Sequence, residues 1–110
     1  MEREEGRFVV VLTTVGGEEE GARMAKSLVG ERLAACVNAC PVRSTYRWRG
    51  EVSEDPEILL FVKTRAERVE EVFSRIRELH SYELPELLVL PVLGGSEEYL
   101  EWLGEEVPPR

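Results

Sequence analysis

The sequence predicts an α+β fold in the order βαββαβ, closed by a short C-terminal helix. Three observations carry this. Short apolar, β-branched runs occupy residues 7–14, 57–63 and 87–90. Two stretches between them change to helical spacing, and one long alternating segment is folded back on itself at Gly50.

Arg7 to Thr14 (RFVVVLTT) is closed by Gly16 and Gly17, the pattern of a strand buried on both faces. From Glu18 the period changes. Ala22, Ala25, Leu28 and Val29 recur at helical spacing, Glu18, Glu19 and Glu20 suit the positive end of a helix, and Gly30 marks its end. Those three glutamates fill the place an anion would take, and no GxxxxGK follows, so the Gly16-Gly17 junction is not read as a phosphate cradle.

In the extended stretch that follows, Val42, Ser44, Tyr46 and Trp48 alternate with Arg43, Thr45, Arg47 and Arg49. One face is aromatic and the other cationic. Gly50 supplies a turn and Glu57–Lys63 the partner strand, so residues 36–63 form one long β-hairpin, with bulges or bends expected at Pro41 and Pro56. Thr64-Arg65-Ala66-Glu67 reads as a capping box, and Val69, Val72, Phe73, Ile76 and Leu79 form the stripe of a second helix. This helix runs out near His80; Pro85 bars further helix, and Leu87–Leu90 reads as a fourth, buried strand. Gly94-Gly95-Ser96 then caps a helix bearing Tyr99, Leu100, Trp102 and Leu103.

Right-handed crossovers put both main helices on one face of a four-stranded antiparallel sheet, the ferredoxin-like arrangement. Residues 1–110 are expected to form one domain, without linker or repeat.

Composition narrows the function. The net charge of −8, from 22 acidic and 14 basic side chains, repels nucleic acid and anionic membranes. No run approaches the ~18 apolar residues of a membrane span, and the N-terminus lacks a signal-peptide layout, so a cytoplasmic protein is expected. Cys36 and Cys40, four apart on a strand, are separated by about 13 Å, beyond disulfide reach, and CxxxC is not a zinc spacing. Reduced thiols are expected. Arginine outnumbers lysine 12 to 2 and glutamine is absent, a bias that suits a heat-adapted protein.

At ~3.3 Å per residue the hairpin reaches about 46 Å, roughly twice its neighbouring strands, and so overhangs its own sheet. An unprotected overhang carrying Tyr46, Arg47 and Trp48 is expected to pair with further copies of the chain, and closed symmetry turns such a contact into a ring.

Several motifs in register resemble one family. RLAACVN (32–38), STYRWRGEV (44–52), LFVKTR (60–65), LHSYELPELLVLPV (79–92) and the following YLEWL are similar to the CutA-type divalent cation tolerance proteins. The resemblance spans nearly the whole chain. It implies a homotrimer of ferredoxin-like subunits, a cytoplasmic bacterial setting, and a link to copper and other divalent metals. Some copper-binding members carry cysteine where this chain has Thr13, and a histidine pair where it has Leu79-His80. Loss of the thiolate disfavours Cu(I) and leaves a His-plus-carboxylate site for a borderline divalent ion.

His80, the only histidine, therefore has two readings. It is a structural joint at a helix C-terminus, or it is a metal ligand with Glu83, holding Cu, Zn or Ni with help from a neighbouring subunit or water. Glu86 points the other way if the chain is already extended at Glu83. A lone histidine beside carboxylates has no nucleophile or cofactor motif attached, so no enzyme is expected. The alternatives to a metal binder are a trimeric small-molecule sensor, by fold analogy, and a regulatory scaffold that binds a partner protein.

Overall fold

The computed structural model describes residues 2–3, for their backbone, and 7–110. Four strands, β1 (Phe8–Val15), β2 (Cys36–Trp48), β3 (Glu51–Arg65) and β4 (Leu88–Pro91), form one antiparallel sheet in the order β2-β3-β1-β4. Helices α1 (Glu18–Gly30) and α2 (Val69–Leu79) are the crossovers, and α3 (Glu97–Glu106) ends the fold. This is the ferredoxin-like βαββαβ order.

β2 and β3 are joined by Arg49 and Gly50, whose φ angles of 51° and 81° match the turn twist that a two-residue hairpin loop requires. Their register runs unbroken from Cys36↔Lys63 to Trp48↔Glu51, so Pro41 and Pro56 mark no bulge. The reason is their position. Pro41 lies on the edge strand, and Pro56 lies beyond Ile58, where β3 loses its pairing with β1, so a missing N–H can face outward at both. From Val42↔Glu57 to the turn the hairpin has no third strand, which stretches the molecule to 44 × 26 × 22 Å.

Alternation divides the sheet into two faces. Val9, Val11, Val15, Ile58, Leu60 and Val62 pack against Met24 and Leu28 of α1 and Val72 and Ile76 of α2 in the main core. The buried stripe of α1 is Gly21, Met24 and Leu28, rotated from the expected Ala22, Ala25 and Leu28, and Val29 is exposed. Gly21 explains the rotation. Without a side chain it lets the helix approach the sheet, where a Cβ would lie 3.3 Å from Val15 Cγ2.

On the opposite face, Phe8 is covered by Leu100 and Leu103 of α3, together with Ala35 and Val107. Three arginines hold this cover in place through the carbonyls at the end of α3, the negative end of its dipole. Arg65 donates to Gly104 O (2.6 Å) and Val107 O (2.5 Å), Arg32 to Glu105 O (2.6 Å), and Arg68 to Pro108 O (3.0 Å). Past α3 the face lies open. Val10, Leu12, Leu59 and Phe61 are half-buried, and Leu88 and Leu90 are 54% and 48% exposed. The fourth strand is therefore not buried as its apolar run predicted: among the described residues no element covers Leu88 and Leu90 on this face, and Val89, on the helix-facing side at the sheet's edge, is 39% exposed.

The capping box is also absent. Thr64 belongs to β3, and its buried hydroxyl donates to Leu33 O (2.6 Å); α2 begins after a 3₁₀ turn (Ala66–Arg68) with no side-chain cap. At α3 the expected cap is present, with the Tyr99 amide donating to Ser96 Oγ (3.3 Å). Gly94 and Gly95 pair with Arg3 and Glu2, a contact the sequence did not suggest.

Candidate functional site: the hairpin-stem cleft

The last backbone bond of α2 runs from the His80 amide to Ile76 O (2.8 Å), and His80 itself is extended. Its ring turns inward and is fully buried. Nε2 lies 2.7 Å from Thr14 O, and the Tyr82 amide donates to Nδ1 at 3.0 Å. A carbonyl only accepts and an amide N–H only donates, so Nε2 donates to Thr14 O while Nδ1 accepts from the Tyr82 amide.

Glu20 of α1 completes the joint. It accepts from the Ser81 amide (3.0 Å) and hydroxyl (3.0 Å), and its Oε2 lies 3.7 Å from His80 Nδ1. Burial pushes the Glu20 carboxyl up, but the Ser81 bonds, His80 and the Gly16 amide together hold it below the ordinary range. Tyr82 packs on the His80 ring at 4.7 Å between centroids and donates from its hydroxyl to Glu57 Oε2 (2.7 Å). Burial first, and then Glu57, raise the Tyr82 phenol. The chain at 80–82 is thus tied to β1, α1 and β3.

Beyond this joint, residues 82–86 curl over the end of the open sheet face and enclose a cleft of about 680 Å³ against the stem of the hairpin. Its walls include Tyr46, Trp48 and Tyr82, with carboxylates from Glu57, Glu83 and Glu86. Tyr46 donates to the Asp55 carboxylate across the hairpin, and that bond is the main cause raising its phenol. Burial, and then the nearby Glu57, push the Glu86 carboxyl above its ordinary range.

The residues singled out in the sequence fall in different places. Glu83 lines the cleft, while the ring of His80 points into the fold with both nitrogens engaged. Glu86 shares the cleft with Glu83 instead of facing away, because the chain is not yet strand at 83–87 and strict alternation does not apply. Among the described residues no group of three or more His, Cys, Asp or Glu stands ready to hold a metal ion. Thr13 is fully buried, and its hydroxyl has no hydrogen-bond partner. Tyr46 and Trp48 line the cleft and remain 42% and 46% exposed; Arg47, next to them in sequence, does not line it. Both cysteines are free thiols on β2.

Glu20, Ser81 and Glu57 were missed from sequence. Glu57 carried a faint signal: it is the charge at the mouth of the apolar run 58–62, in register with Leu59 and Phe61 on the open face.

Fold and cleft define a ferredoxin-like α+β protein whose central hairpin outgrows its sheet. The chain belongs to the CutA1 divalent ion tolerance protein family, whose model matches residues 9–106. It is 52% identical to the divalent-cation tolerance protein CutA of Thermus thermophilus over 97 residues, 87% of this chain and 94% of that one. The solved structure of the Thermus thermophilus protein superposes with a TM-score of 0.89 at 49% identity, covering 92% of this chain and 99% of that one. The CutA structure from Archaeoglobus fulgidus, titled periplasmic, gives a TM-score of 0.90 at 36% identity, with 92% and 99% covered. A chloroplastic CutA of Arabidopsis thaliana is 46% identical over 86% of this chain, which spans about half (53%) of that protein's length. No helix among the described residues is long and apolar enough to cross a membrane.

Proposed function

We propose that the chain is a single-domain, non-enzymatic subunit of a cytoplasmic homotrimer that binds divalent metal ions such as copper in metal tolerance. The observation that carries the assembly is the open sheet face. Among the described residues no element covers its apolar strip of half-buried Val10, Leu12, Leu59 and Phe61 and exposed Leu88 and Leu90, which runs on to the overhanging hairpin with Tyr46, Arg47 and Trp48. A soluble protein seldom leaves so continuous an apolar surface and so long a free strand edge to water.

For the metal, the family and the acidic surface support a Cu, Zn or Ni ion held by Glu83 together with His80. Binding through His80 requires the ring to give up Thr14 or Tyr82, so the ion competes with a bond that holds the fold. Light scattering coupled to size exclusion tests the assembly. A mass near three times the 12.5 kDa chain is expected, and a monomer at micromolar concentration overturns it. Calorimetric titration of the metal-free, untagged protein with Cu(II), Zn(II) and Ni(II) tests the ion.

A further inference from the structure

We propose that the hairpin-stem cleft is a socket for a second copy of this chain: Arg47 of one copy enters the cleft of the next and pairs with Glu57. This rests on the proposed homotrimer and names a contact that joins its copies. Three observations carry it. The cleft holds the carboxylates of Glu57, Glu83 and Glu86 beside the rings of Tyr46, Trp48 and Tyr82, and no lysine or arginine lines it. Arg47 has no carboxylate partner among the described residues; its hydrogen bond is a long one, 3.5 Å to Gly50 O in the turn. Glu57 Oε2 accepts from the Tyr82 hydroxyl at 2.7 Å, which fixes that carboxylate at the cleft wall, while its other oxygen takes no hydrogen bond among the described residues.

The two halves of the contact cannot meet within one chain. Side chains alternate along β2, so Tyr46 and Trp48 face the cleft and Arg47 between them faces the other way. Beyond Ile58 the hairpin has no third strand, so both of its faces reach past the sheet. A socket on one face and its plug on the other make a head-to-tail contact, which closes into a ring when the rotation allows. Charge selects the plug. A guanidinium gains from the carboxylates and lays its flat face on the aromatic walls, whereas an apolar side chain would cover negative charges and leave them without a partner. The hairpin's other arginines fit less well. Arg49 already stands 5.6 Å from the Trp48 ring centroid, and Arg43 lies level with Pro56, nearer the sheet. One guanidinium balances one carboxylate of the three, so Glu86, pushed above its ordinary range by burial and then by Glu57, stays in surplus.

Two measurements on the intact, metal-free protein test the pair. In the first, isotopically labelled and unlabelled copies of Arg47→Lys are refolded together and treated with a carbodiimide, which joins an amine to a carboxylate in contact with it. Mass spectrometry is expected to find position 47 linked to Glu57 across the two labels. Links found only within a copy, only to other carboxylates, or not at all from position 47 overturn the proposal. In the second, light scattering follows the mass on dilution for Arg47→Gln, Glu57→Gln and the double variant. Glu57→Gln keeps an oxygen for Tyr82 and loses only the charge. Each single change should raise the concentration at which copies separate about tenfold, and the double variant should do little more, because the contact is already broken. Lys26→Gln on α1 and Glu86→Gln, which removes surplus charge, should not weaken the assembly. Additive effects of the two changes overturn the pair, as does a Glu86→Gln protein weakened as much as Glu57→Gln. A monomeric wild type removes the trimer and this contact together, whereas a trimeric wild type with any of the other adverse results removes the contact alone.

Discussion

The imidazole of His80 donates from Nε2 to the backbone carbonyl of Thr14 at 2.7 Å, joining the end of α2 to the end of β1 across 66 residues of sequence. Its other nitrogen is taken by the amide of Tyr82, so one buried side chain satisfies two backbone groups. What looked in sequence like an available ligand is folded as a bridge, and the cleft is built on that bridge.

Removing the bridge should be costly. His80→Ala leaves the Thr14 carbonyl and the Tyr82 amide without their partner and opens a void, for a loss of roughly 2–4 kcal/mol in urea unfolding. The same variant should weaken Zn(II) or Cu(II) about tenfold if His80 joins Glu83 on the ion. Lower stability with unchanged metal affinity would assign the ring to the joint alone.

Thr13 makes the opposite case. Its hydroxyl is buried on the helix-facing side of β1, opposite Leu60, and has no partner. Thr13→Val has nearly the same shape and removes an unsatisfied polar atom, so it should raise stability by about 1 kcal/mol, seen as a higher melting temperature. A fall in melting temperature would mean that the hydroxyl is satisfied in the assembled protein.

Much of the fold was legible because strand and helix periods differ and the turn residues sit where the chain reverses. Gly50 and Ser96 did locally what their chemistry predicts, whereas Arg49, read as part of the strand, joins Gly50 in the turn with a positive φ of 51°. The errors have a common origin in partners distant in sequence. Thr64 resembled a helix cap, but its hydroxyl is claimed by Leu33, 31 residues away. Leu88 and Leu90 read as buried because an apolar run does not reveal whether its cover comes from the same chain. The cleft was hidden for the same reason. Glu57 and Tyr82 meet across 25 residues, and Glu20 and Ser81 across 61, with no periodicity to announce either pair. His80 and Glu83 stood out only because histidine is rare here.

Trp48 tests the assembly. It is 46% exposed in one chain, and a tryptophan on an overhanging hairpin should be covered by a neighbour. Trp48→Ala is expected to weaken association by roughly 3–5 kcal/mol per chain if the site is well packed. The melting temperature of the wild type should rise with protein concentration, since folding and assembly are linked, and that rise should flatten in the variant. Identical dissociation curves for the two proteins would remove Trp48 from the interface.

Glu20 and Glu86 give opposite pH signatures, which makes the last prediction hard to mimic by general acid denaturation. Burial raises the Glu20 carboxyl, but the Ser81 bonds, His80 and the Gly16 amide together hold it below its ordinary range. Its contribution to stability is therefore present above the ordinary glutamate range near ~4.3 and lost as pH falls through the lower folded value. Glu86 is pushed up by burial and by Glu57. The folded chain then prefers the protonated form, and a penalty develops as pH rises through the raised value and persists at neutrality. Glu20→Gln keeps an oxygen for Ser81 but loses the charge, so it should be less stable than wild type at pH 7, with the gap closing in acid. Glu86→Gln should be more stable at pH 7, and its advantage should also vanish in acid. Urea unfolding at fixed protein concentration, followed from neutral to acidic pH, measures both. Two curves displaced to the same side of wild type at pH 7 would contradict the opposed environments that Ser81 and Glu57 create.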